Sequence, residues 1–159
     1  MKIFSWNIQH GGGSRLNVIL SELKKNSDSS VIVLTEFRSN DNGMRIRDVL
    51  SELGFQYQFT PIDDSKINTV LVASKLDVEF SLGLDLGKHI HRVVSVKWGY
   101  IHLIAAYFPQ KKEKKVIFEF LSETLDSNPS ETALIIAGDL NTGIHYLDER
   151  ANSFYCSSD

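Results

Sequence analysis

The 159-residue chain holds a single cysteine, Cys156. One cysteine excludes any intrachain disulfide and fits a reducing compartment. Nothing near Cys156 in the sequence is built to activate a thiol, so it reads as a partly buried free thiol rather than a nucleophile. No apolar run approaches the roughly 20 residues that crossing a bilayer takes, which speaks against membrane insertion. The opening MKIFSWN lacks the long apolar segment of a secretory signal, and a cytoplasmic protein is the expectation. Positive charge is not in excess: 17 Lys and Arg stand against 20 Asp and Glu, a net charge of -3. That balance does not mark a nucleic-acid binder, although local patches can outweigh the total. Linkers, low-complexity tracts and short-period repeats are missing as well.

What is there is an ordinary globular composition, 42% hydrophobic and 23% charged. A chain of this length fits one domain, 1–159, and buries about 70% of the surface its unfolded form exposes. KIFSW reads as a strand starting almost at the N-terminus. QHGGGS follows as a loop, with Ser14 placed to cap a helix. Leu16, Ile19, Leu20 and Leu23 fall at i, i+3, i+4 and i+7 and give that helix one apolar face. SVIVLTE is a nearly all-apolar strand, the kind expected where a sheet is covered on both faces. Ile46, Val49, Leu50 and Leu53 repeat the helical spacing, and Gly54 supplies a C-terminal stop. The pattern then shortens. FQYQFT, TVLVAS, DVEFSL, RVVSVKW and YIHLIAAY are β-rich runs with turn residues between them, which predicts antiparallel neighbours. Helical spacing returns from Lys112 to Leu125, with Ile117, Phe118, Leu121 and Leu125 expected to turn inward. TALIIAG reads as the last strand, and Trp6 and Trp98 as core aromatics.

Polar chemistry gathers at strand ends. In ALIIAGDLNTG, six residues without charge or a hydrogen-bonding side chain run straight into Asp139 and Asn141. IFSWN ends on Asn7 and VIVLTE on Glu36. Three strands thus deliver oxygen-bearing side chains at their C-terminal ends, the edge where α/β sheets carry ligands. Buried carboxylates are costly unless paired or bound to a metal. Carboxylate and carboxamide oxygens suit magnesium or manganese, and few protein ligands leave room for water and phosphate. Taken one at a time, each residue reads better as a strand end bonding its own backbone in a turn. Their recurrence is what points to a cation.

WN near the start, LTE, YFP at 107–109 and GDLN at 138–141, in this order and spacing, resemble the endonuclease/exonuclease/phosphatase superfamily. Its members include exonuclease III-like and abasic-site endonucleases, DNase I-like nucleases, inositol polyphosphate phosphatases and neutral sphingomyelinases. The resemblance implies an α/β (α+β) chain: the N-terminal portion of a DNase I-like four-layer sandwich, with mixed, mostly antiparallel sheets flanked by helices. It implies a phosphodiester hydrolase, nuclease-like or phosphatase-like, that uses Mg2+ or Mn2+. In that family Glu36 would hold the metal, with Asn7 beside or behind it. Asp139 matches the Asp that orients or activates the attacking water, and Asn141 the Asn that steadies the scissile phosphate. Tyr107 matches a residue beside the phosphate, and Arg92 sits where many members carry an Arg on the preceding strand. The implied partner is a phosphodiester substrate, whether DNA, RNA, phosphoinositide or lipid head group.

One part of the family pattern is missing. Members end on a further Asp and a Ser-Asp-His, whereas Ser158-Asp159 here has no His after it. Acid–base groups supply about 10²–10⁴-fold, so catalysis without that His is expected to fall by orders of magnitude. The expectation is therefore an incomplete domain over 1–159. It would be an impaired enzyme, or a non-catalytic remnant that binds metal or phosphate ligands. An unfinished sheet edge would favour self-association.

Other signals resolve less sharply. HGGG at 10–13 would suit a lipase oxyanion loop only with a G-x-S-x-G elbow, which is absent. His10 remains open between a phosphate contact at the site's mouth and a place in an exposed glycine turn. QKKEKK at 110–115 reads either as a phosphate-backbone contact or as the solvated first turn of a helix. His89, His91, His102 and His145 lack zinc spacing, though His145 follows GDLNTG closely enough to reach a metal there. Asp139, Asn141 and Gly143 do not fit an EF-hand loop.

Overall fold

Strand side chains alternate between two faces, and here that alternation sorts the apolar residues into three cores. The computed structural model describes residues 1–142. The elements are β1 (Ile3–Asn7), α1 (Leu16–Lys25), β2 (Val31–Phe37), α2 (Asp41–Glu52), β3 (Tyr57–Phe59) and β4 (Thr69–Ser74). They continue as β5 (Glu79–Leu82), β6 (Val93–Trp98), β7 (Ile101–Tyr107), α3 (Lys114–Ser127) and β8 (Ala133–Asp139). One sheet runs β1-β2-β4-β3 and the other β5-β6-β7-β8. Each has one parallel pair, β1–β2 and β7–β8, and its other pairs are antiparallel, as the short runs in mid-sequence predict.

Val31 and Val33 of β2 and Val70 and Val72 of β4 meet Val94, Val96, Leu103 and Ala105 between the two sheets. The opposite face of β2 and β4, with Ile32, Leu34, Leu71 and Ala73, packs under Ile19 and Leu23 of α1 and Ile46 and Leu50 of α2. Val93, Ile104 and Ala106 on the outer face of the second sheet receive Ile117 and Leu121 of α3. Burying each such large aliphatic side chain contributes about 1.5–3 kcal/mol. The order is helices, sheet, sheet, helix, the four-layer sandwich expected from the sequence. β2 is apolar from Val31 to Leu34 because both of its faces are covered there. Trp6 and Trp98 pack at the margins of two of these cores.

Two local expectations are corrected. Ser14 does not cap α1: left-handed glycines carry a 3-10 turn from His10 to Arg15, and the helix starts later, with Arg15 at the cap position making no side-chain capping bond. Phe118 and Leu125 are not buried; they are 45% and 62% exposed. Ile117 and Leu121 face the sheet, whereas Phe118 only meets the edge of Phe108, with ring centroids 4.8 Å apart. The cause lies under the helix, where β8 is the last strand of its sheet among the described residues. Gly143, His145, Cys156, Ser158 and Asp159 lie outside the described residues. Among those described, no helix is long and apolar enough to cross a membrane.

The glycine of GDLN has a packing reason. Gly138 lies opposite Ala106 at φ 139, and a Cβ there would stand 1.9 Å from the Ala106 carbonyl oxygen. Only a residue without a Cβ lets β8 approach β7 this closely, and the fit brings Asp139 into register with Tyr107. Gly138→Ala is expected to destabilise the fold by about 3 kcal/mol, visible as a lower urea midpoint. An unchanged midpoint would contradict the close approach.

Candidate functional site

The alternation that builds the inter-sheet core also aims three polar residues. Asn7 follows Ile3, Tyr107 follows Leu103 and Ala105, and Asp139 follows Ile135 and Ala137 toward the space between the sheets. Each is the last residue of its strand, so together they stand at one mouth of that space. Glu36 arrives differently. The pairing of β2 with β4 slips between Thr35 and Phe37, and Glu36 sits in this bulge at φ 56. Strict alternation would send Glu36 after Ile32 and Leu34 into the core beneath α1 and α2. The bulge lifts it out, and Phe37 enters that core instead.

Asn7 links the carboxylates. Its Nδ2 donates to Glu36 Oε1 at 3.0 Å and to Asp139 Oδ2 at 2.6 Å. Its Oδ1 accepts from the backbone N–H of Gln9 at 2.8 Å, which assigns the amide end facing the carboxylates. Glu36 Oε2 accepts from the backbone N–H of His10 at 2.8 Å and from Asn68 Nδ2 at 3.3 Å. Asp139 Oδ1 accepts from the Asn141 N–H at 2.9 Å, a strand-end turn closed by the side chain. Asn141 Nδ2 donates to the Phe108 carbonyl at 2.6 Å, and Lys114 Nζ reaches the carbonyl of Asn141. Among the described residues the non-glycine positions with left-handed φ are Gln9, His10, Glu36 and Asn141, all in this network. Such conformations cost about 1–3 kcal/mol each and persist where surrounding contacts over-determine them.

Arg92 and Tyr107 form a second group beside the first. Arg92 ends a 3-10 turn, one residue before β6 rather than on the strand. Its guanidinium carbon lies 4.7 Å over the Tyr107 ring, a cation–π contact. Its Nε and Nη1 are buried and have no hydrogen-bond partner among the described residues. Burial, and then the charge of Arg92, lowers the pKa of the neighbouring His91 below the usual histidine value. Thr69 Oγ1 donates to the His91 carbonyl at 2.6 Å and ties this turn to the start of β4. The sequence-predicted residues thus fall into two adjacent sets. Asn7, His10, Glu36, Asp139 and Asn141 share one network, while Arg92 stacks on Tyr107, the register partner of Asp139.

Two members of the network escaped the sequence reading, Arg38 and Asn68. Asn68 touches both Glu36 and His10 and accepts from Arg38 Nε at 2.6 Å. Its signal was its place directly before β4: an antiparallel neighbour of β2 must begin at the edge where β2 ends.

The electrostatics define what the site can hold. Glu36, 13% exposed at its side chain, and Asp139 converge on one neutral amide. Among the described residues neither forms an ion pair with a Lys or Arg; only the His10 ring approaches Glu36, at 3.2 Å. Two half-buried carboxylates with no countercharge are a donor set for a hard divalent cation. The described residues bring no group of three or more His, Cys, Asp and Glu side chains together, so a full protein cage is not formed. Magnesium suits the sparse alternative, because it is held by one or two carboxylates and keeps its waters.

No protein-family model and no curated protein matches the chain. Solved structures do. An AP endonuclease from Archaeoglobus fulgidus superposes with a TM-score of 0.74 at 22% identity, over 95% of this chain and 61% of that one. D. rerio TDP2 complexed with single-strand DNA product gives 0.66 at 16% identity, over 89% of this chain and 61% of that one. D. rerio TDP2 humanized by 14 mutations gives 0.65 at 17% identity, over 89% of this chain and 63% of that one. The chain therefore spans 61 to 63% of the length of these structures. The likeness establishes the fold, a DNase I-like four-layer sandwich.

Proposed function

We propose that the chain carries a divalent-metal phosphodiesterase site that takes a nucleic-acid strand, with Mg2+ or Mn2+ as cofactor. The single observation behind this reading is the pair Glu36–Asp139, joined through Asn7 and, among the described residues, without a Lys or Arg partner. The activity named for the AP endonuclease structure supports a phosphodiester substrate, and the single-strand DNA product bound to TDP2 supports nucleic acid.

The roles follow from the contacts. Glu36 and Asp139 would hold the cation, which when bound supplies charge neutralisation for the phosphoryl and leaving oxygens. Asn7 keeps the two carboxylates facing each other. Asp139 Oδ2 lies at the mouth of the inter-sheet space, placed to orient a water and accept its proton. The Nε–H and Nη1–H of Arg92, unpartnered among the described residues and held by stacking on Tyr107, are oriented donors for a phosphate oxygen. Asn141 holds the turn after β8 closed through Phe108, which keeps Asp139 in place. The His10 ring, 70% exposed, stands at the outer rim and is assigned a phosphate contact.

Hydrolysis of bis(p-nitrophenyl) phosphate tests this reading. The rate should rise with Mg2+ or Mn2+ and vanish in chelator. Mn2+ binding without any turnover would replace the enzyme by a non-catalytic metal-binding remnant.

A second reading, self-association, rests on a different observation. β8 ends its sheet among the described residues, and Phe118, Leu125 and Ile136 are exposed along it and α3. An apolar edge of this kind favours pairing with another copy. The chain should sediment as a dimer or larger, and Phe118→Glu with Leu125→Glu should shift it to monomer. A wild-type monomer at all concentrations removes this reading.

A further inference from the structure

We propose that Arg38 is a positioning residue for this site, acting on Glu36 through Asn68 and on His10 both through Asn68 and directly; the metal consequence rests on the reading above. Arg38 lies two residues beyond Glu36, across the β2 bulge. Its Nε donates to Asn68 Oδ1 at 2.6 Å. A guanidinium can only donate, so this bond assigns the oxygen end of the Asn68 carboxamide to Arg38. The Nδ2 end is then turned to the site, 3.3 Å from Glu36 Oε2 and 3.1 Å from His10 Nδ1.

The same geometry selects a histidine tautomer. Arg38 Nη2 stands 3.3 Å from His10 Nδ1, so two obligate donors, Arg38 and Asn68, face that nitrogen. Glu36 Oε2 is also near it, at 3.2 Å, but already accepts from the His10 backbone N–H and from Asn68. Nδ1 therefore accepts, and the ring proton sits on Nε2, the nitrogen outside this network. The loop under His10 rests on the same arginine. A Cβ on Gly11 would come within 3.0 Å of Arg38 Cβ, and Asn42 Nδ2 clamps the carbonyls of Gly11 and Gly13 at 3.3 and 2.8 Å. Among the described residues Arg38 forms no ion pair with an Asp or Glu. Its hydrogen bonds go instead to Asn68, which sets the carboxylate, and to the His10 ring.

Two readouts test the relay on wild type, Arg38→Ala, Arg38→Lys, Asn68→Ala and the double variant Arg38→Ala/Asn68→Ala. The first is the ring 15N spectrum of His10 at about pH 8, above the ordinary histidine range. Wild type should show the Nε2–H form, and Arg38→Ala or Asn68→Ala a mixture of tautomers. The second is Mn2+ affinity from the electron paramagnetic resonance of the free ion. Either alanine variant should bind about 10–100-fold more weakly, the usual effect of losing a partner behind a metal ligand. Arg38→Lys keeps the charge but not the fork, and should recover little. The double variant should bind no more weakly than Asn68→Ala, because Arg38 acts through Asn68. Additive losses, full recovery by lysine, or an unchanged tautomer would each overturn the proposal. Should Arg38→Ala fail to fold, Asn68→Ala carries both readouts. Wild type that binds no Mn2+ but shows the tautomer change would overturn the metal reading and support the relay.

Discussion

Glu36→Gln is expected to lower metal-dependent hydrolysis by about a thousandfold in kcat/KM, about 4 kcal/mol of transition-state stabilisation. Mn2+ binding should weaken with it, by at least about a hundredfold. The substitution keeps the shape of the side chain and removes its charge. It also creates a local conflict. Three N–H groups converge on the Glu36 carboxylate, from Asn7, the His10 backbone and Asn68. A glutamine must set its own amide donor against one of them, so the group turns away from the position that the bulge gives it. Stability of the metal-free protein should change much less, because the lost hydrogen bond is offset by relief of repulsion from Asp139. Steady-state kinetics, free Mn2+ and thermal melting of the same samples separate these effects. A fall below about tenfold in both rate and binding would remove Glu36 from the site.

The contrast between Glu36 and Asn68 shows what the sequence makes legible. Asn7, Glu36 and Asp139 each close an apolar run, and such a run marks the end of a strand without knowledge of its neighbours. Asn68 opens a run. It matters only because β4 lies antiparallel to β2, and that pairing is a tertiary choice not written in INTVLVAS. The bulge at Glu36 is hidden for a related reason. VIVLTEF carries no mark of a break in its sequence, and the slip appears only when β4 fixes the register. Helix faces behave the same way. Spacing finds Ile117, Phe118, Leu121 and Leu125 as one apolar stripe, but the width of sheet beneath α3 decides that Phe118 and Leu125 stay exposed. The cover on both faces of the nearly all-apolar β2 and the antiparallel partners of the short middle runs were readable, whereas the count of four layers came from the family resemblance.

Asp139→Asn should separate chemistry from metal binding. The two oxygens of Asp139 serve different partners. Oδ1 closes the turn with the Asn141 N–H at 2.9 Å, and Oδ2 meets Asn7 Nδ2 at 2.6 Å. An asparagine can satisfy one of these donors and must oppose the other, so the turn survives at the expense of the Asn7 bond, or the reverse. Either way the group that would take a proton from water is gone. The rate should fall by about 10²–10⁴-fold, the range for losing a positioned base. Glu36 keeps its three N–H donors in this variant, so Mn2+ affinity should fall distinctly less than in Glu36→Gln. The divergence between the two variants is the informative quantity. Equal losses of binding would make both carboxylates simple ligands and deny Asp139 a separate part in proton transfer. Retention of more than about a tenth of the wild-type rate would take it out of the reaction altogether.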